Sequence, residues 1–129
     1  MGQHLQYHIS RISNEHSDWH RGIAFYQDEL AILGNRLQEV SIMYTNIDVK
    51  SQVEHFQNQF IIQKNNLNGL TKLVKEHEHH LSEDAQSHAQ HLTVDTIHEH
   101  NQLRDDYLTL VKTIIELKAD FYKFLTSYL

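Results

Sequence analysis

Apolar residues in this chain recur at alternating steps of three and four over stretches of about forty residues, and no proline interrupts them anywhere. Proline in a helix interior removes a hydrogen-bond donor and clashes with the preceding turn, so its absence leaves every segment free to stay helical. The first stripe runs through Leu5, Ile9, Ile12, His16, Trp19, Ile23, Tyr26, Leu30, Leu33, Leu37, Val40 and Tyr44. The second carries Val49, Val53, Phe56, Phe60, Gln63, Leu67, Leu70, Val74, His77 and Leu81. The third carries His100, Leu103, Tyr107, Leu110, Ile114, Leu117, Phe121, Phe124 and Tyr128, with a second seam beside it at Ile97, Leu108, Val111, Ile115 and Leu125. A stripe that wide is expected to face two neighbours.

Capping chemistry marks the breaks. Thr45, Asn46 and Asp48 punctuate the first junction, and Ser51 with Glu54 offers a capping box. The polar stretch SEDAQSHAQH loses the stripe, after which Thr93, Asp95 or the Thr96 to Glu99 pair can cap a new helix. These signals predict a single domain over 1–129, with helices over about 5–44, 49–81 and 94–128 and a linker over about 82–93. Short connections between long helices make neighbours antiparallel, so the expected fold is an all-α, up-down-up three-helix bundle with coiled-coil-like heptad packing.

Charge and cysteine content narrow the function. Eleven basic against seventeen acidic residues give a net charge of −6 with no basic cluster, which argues against nucleic acid as a partner. Without cysteine there are neither disulfides nor thiolate metal sites, so any metal must be held by histidine and carboxylate. The opening MGQHLQYHIS lacks the apolar run of a signal peptide, and no stretch reaches the roughly twenty apolar residues of a membrane span, so a soluble, cytoplasmic protein is expected. No glycine-rich phosphate loop or nucleophile arrangement is visible.

Twelve histidines are the unusual feature. Only His16, His77 and His100 occupy stripe positions, one in each helix. Residues equidistant from a turn lie at the same height. A first turn centred near residue 46 or 47 sets residue 16 opposite roughly 77, and a linker centred near 88 sets 77 opposite roughly 100. One layer therefore holds all three, with His20, Glu15, His80 and Glu99 on its flanks. Three imidazoles from separate helices can supply three ligands to a divalent transition metal, whether zinc, iron, copper or nickel, and leave a position for water or a carboxylate. The alternative is a polar layer that sets helix register in a non-catalytic interaction or dimerisation module.

Other patterns weigh less. Glu76 with His79 and Asp95 with His98 have the carboxylate-x-x-histidine spacing of di-iron bundles but sit at outward heptad positions. His4 with His8 and His16 with His20 are spaced to share a helix face. Gln63 reads as a register-setting polar residue, and Arg104 as the partner of Glu15, Glu99 or Asp105. Phe25, Ile32, Ile61 and Ile62 either widen the core or form an outward apolar patch through which two copies associate as a homodimer.

Overall fold

The computed structural model describes residues 2–87 and 92–128, with side chains over 9–86 and 92–128. Three helices pack against one another: α1 (Gly2–Met43), α2 (Ile47–Ser87) and α3 (Val94–Tyr128). Among the described residues there is no strand, and no helix is long and apolar enough to cross a membrane. The side chains of His4, Leu5 and His8, and residues 88–91 of the linker, lie outside the described residues.

Two of the capping candidates do the work. Asn46 caps α2: its side-chain oxygen accepts from the Asp48 amide at 3.0 Å, and its carbonyl accepts the first helical bond from Lys50 at 2.9 Å. Ser51 and Glu54 lie exposed inside the helix instead. Thr93 caps α3, its hydroxyl oxygen accepting from the Thr96 amide at 3.2 Å. Its own amide and hydroxyl donate to Asp84 near the end of α2, at 3.0 and 3.2 Å. Asp84 is buried at the stripe position after Leu81, which is why α2 continues past the apolar stripe to Ser87. A carboxylate there is tolerated because the start of α3 donates hydrogen bonds to it.

Leu33, Leu67, Val74, Ile114 and Phe121 form the most deeply buried part of the core, each such side chain contributing about 1.5–3 kcal/mol through burial. Phe56, Phe60, Phe121 and Phe124 interlock at one end, with Tyr44 donating from its hydroxyl to the Tyr128 carbonyl. The second seam expected on α3 faces no neighbour over most of its length. Leu125 is buried and Val111 half-buried, while Ile97, Leu108 and Ile115 are exposed. With only two partner helices, one broad stripe suffices and the flank beyond it meets solvent. Phe25, Ile32, Ile61 and Ile62 are exposed as well, so they do not widen the core.

Candidate metal centre

His16 lies between Ile12 and Trp19 on the buried face of α1, His77 between Val74 and Leu81 on α2, and His100 between Thr96 and Leu103 on α3. Each is carried inward by its stripe, and the three residues are only 4%, 0% and 3% exposed. One ligand atom from each ring lies within 4.8 Å of the other two. Nδ1 of His100 is 3.3 Å from Nε2 of His16 and 3.2 Å from Nε2 of His77. Two nitrogens bound to a tetrahedral zinc at its usual bond length stand about 3.3 Å apart, so both separations fit the edge of such a coordination shell.

The outer nitrogens decide what the inner ones offer. Nδ1 of His77 donates to Glu99 Oε1 at 2.7 Å, and Nε2 of His100 donates to Glu15 Oε1 at 3.1 Å. Arg104 grips Glu15 side-on, Nε to Oε2 at 2.8 Å and Nη2 to Oε1 at 2.5 Å. That guanidinium bond, against an opposing effect of burial, holds Glu15 down at about 2. Burial pushes Glu99 up, but hydrogen bonds from His80 and His77 outweigh it and leave the carboxyl below its usual range. Both carboxylates are therefore ionised and can only accept, which places a proton on the outer nitrogen of each partner imidazole.

The inner nitrogens of His77 and His100 stand 3.2 Å apart, and where each ring holds its proton on the outer nitrogen they present lone pairs to a cation placed between them. Burial, followed by the neighbouring rings of His77 and His100, lowers His16 to about 4, and burial likewise lowers His100. Both are neutral at pH 7, as ligands must be. Trp19 stacks on the His100 ring with centroids 4.9 Å apart and walls the layer from the deeper core.

No protein family, curated protein or solved structure matches the chain. The site stands on its geometry alone.

The structure brings His16, His77 and His100 together in the centre and sets Glu15, Glu99, His80 and His20 in the ring around it. His80 binds Glu99 at 2.9 Å, which raises its affinity for a proton, and points its hydrogen bond away from the three inner nitrogens. His20 meets Glu78 at 2.5 Å. Glu78 is absent from the sequence-predicted set, although turn geometry places it almost as well opposite His16 as His77. Thr96, buried one turn before His100, and Asp84 are further inward polar residues that apolar periodicity passes over. Glu76, His79, Asp95 and His98 are exposed.

Proposed function

We propose that this chain is a single helical domain that binds one divalent transition metal ion through Nε2 of His16, Nε2 of His77 and Nδ1 of His100. The observation that carries this reading is the convergence of three buried imidazoles whose spacing suits a tetrahedral ion. Three imidazole nitrogens in a tetrahedral shell with one open position are best suited to zinc among zinc, iron, copper and nickel. Glu15 and Glu99 act as outer partners that orient ligands, because their oxygens are engaged with Arg104 and His80. A fourth position remains for water, which such an ion would acidify.

An up-down-up order of helices supports this placement. His16 meets His77 while Gln27 meets Asn68, so α1 and α2 pair with falling numbers against rising ones. His16 meets His100 while Tyr44 meets Tyr128, so α1 and α3 run with rising numbers together.

A second reading, a register-setting polar layer in an interaction module, is favoured by one observation. Among the described residues no buried side-chain nitrogen or oxygen lacks a hydrogen-bond partner. In that reading the exposed Phe25, Ile32, Ile61 and Ile62 pair two copies of the chain. Melting with zinc, cobalt, nickel or copper separates the two. An ion bound only by the folded state adds about 2.7 kcal/mol at a hundred times its dissociation constant. A rise in melting temperature supports the metal site, and no rise with any of the four supports the polar layer.

A further inference from the structure

A centre sealed this deeply needs a way in, and the three ligands are not equally held. His77 is fixed from outside by Glu99, and His100 by Glu15 under the grip of Arg104. His16 differs. Its outer Nδ1 stands 4.0 Å from Glu78 Oε1, beyond hydrogen-bonding distance, while that oxygen binds His20 instead. On this side of His16 a cleft of about 500 Å³ opens between α1 and α2, lined by Ser13, His16, Ser17, His20, Glu78 and Ser82 among others. His16 lines it and is itself buried, so the ring separates the cleft from the centre. His20 and Glu78 are each about one-third exposed at its mouth.

We infer that His20 and Glu78 capture a divalent metal ion at the mouth of this cleft and pass it inward past His16, the ligand whose outer nitrogen no described carboxylate holds within hydrogen-bonding distance. The inference rests on the three-histidine centre as the destination. An imidazole nitrogen and a carboxylate oxygen 2.5 Å apart are a pair that a divalent ion can spread and chelate. The free Nδ1 of His16 is the next donor inward. As the His16 ring turns, the ion leaves Nδ1 for the inner nitrogens of His77 and His100, which are already aimed, and Nε2 of His16 closes on it when the ring returns. Among the described residues the outer nitrogens of the other two ligands are each occupied by a carboxylate, Glu99 on His77 and Glu15 on His100.

The test is stopped-flow mixing of the metal-free full chain with cobalt(II), read by the tetrahedral cobalt absorption band and by quenching of Trp19. His20→Ala and Glu78→Gln should each slow loading by about tenfold, the scale on which local charge concentrates an ion. Both variants should reach the same final band, with release slowed in proportion so that affinity stays within about threefold. His79→Ala, exposed and outward, should load at the wild-type rate. Unchanged loading in His20→Ala and Glu78→Gln overturns the route while leaving the centre standing. So does loss of the final band in either, which would make that residue a ligand. A wild-type chain that never develops the band refutes the three-histidine centre itself.

Discussion

Acid should destabilise the metal-free protein in a window set by His16. Its folded-state value of about 4 lies below the ordinary 6.5 because burial, and then the rings of His77 and His100, oppose a charge there. Between those two values the unfolded chain binds a proton that the native chain refuses, so stability is full above pH 6.5 and falls as pH drops. At 1.36 kcal/mol per unit, the loss by pH 4 is about 3 kcal/mol. Between pH 7.5 and 4.5 most of it is realised. His100 is shifted the same way and adds to the loss. His80 is shifted oppositely, but it is half exposed and its pairing with Glu99 is screened. Against a typical folding free energy of 5–15 kcal/mol, a loss of about 3 is large, and for a chain of this length it lowers the melting temperature by about 10 °C. The assay is thermal and urea unfolding of chelator-treated protein, followed by far-UV circular dichroism from pH 7.5 to 4.5. His16→Leu should flatten the profile. If wild-type stability is level across this range, or falls as steeply in His16→Leu, then His16 is not a neutral buried imidazole and the electrostatic description of the centre is wrong.

The remaining predictions concern the ligands, their supports and the packing beneath them. His77→Ala should abolish metal binding by isothermal titration, whereas His79→Ala, exposed on the other face of α2, should leave it intact; equal loss from both would mean the register is misassigned. Glu15→Gln, which weakens the hold on His100, should reduce metal affinity by about 10–100-fold without removing the site. Melting curves with and without added zinc should lie well apart at pH 8 and converge by about pH 5, since protons displace the ion from its imidazoles. Gly22→Ala should destabilise the fold by about 1–3 kcal/mol, because the new methyl group would stand 1.9 Å from the Tyr107 hydroxyl. Tyr107→Phe should recover part of that loss in chemical denaturation, since the next ring atom is 2.9 Å away.

The sequence made the three helices and their inward histidines legible because both follow from one periodicity. A stripe at steps of three and four names the buried face, and symmetry about each turn then names the residues that share a height. His16, His77 and His100 needed nothing more. What periodicity could not supply was anything decided by side-chain hydrogen bonding. Asp84 continues the stripe of α2 but is polar, so apolar periodicity ends the helix at Leu81, whereas its bonds to Thr93 carry the buried face one turn further. Thr96 is buried for a similar local reason, its hydroxyl oxygen lying 2.9 Å from that of Thr93, within hydrogen-bonding distance. Glu78 sits beside an inward histidine and competes for the same opposite number, and only the side chains show which of His16 and His20 it binds. Ile97, Leu108 and Ile115 misled in the other direction: an apolar flank reads as a second interface whether or not a helix exists to cover it.

Elemental analysis bears most directly on the metal centre. The chain should be produced without an affinity tag, purified without a metal column and measured for bound metal per mole of protein, beside a variant in which His16, His77 and His100 are all replaced by alanine. One equivalent of a divalent transition metal in the wild-type protein, and none in the triple variant, is the result the geometry predicts. Metal-free wild-type protein that takes up no zinc, iron, copper or nickel on addition would contradict it.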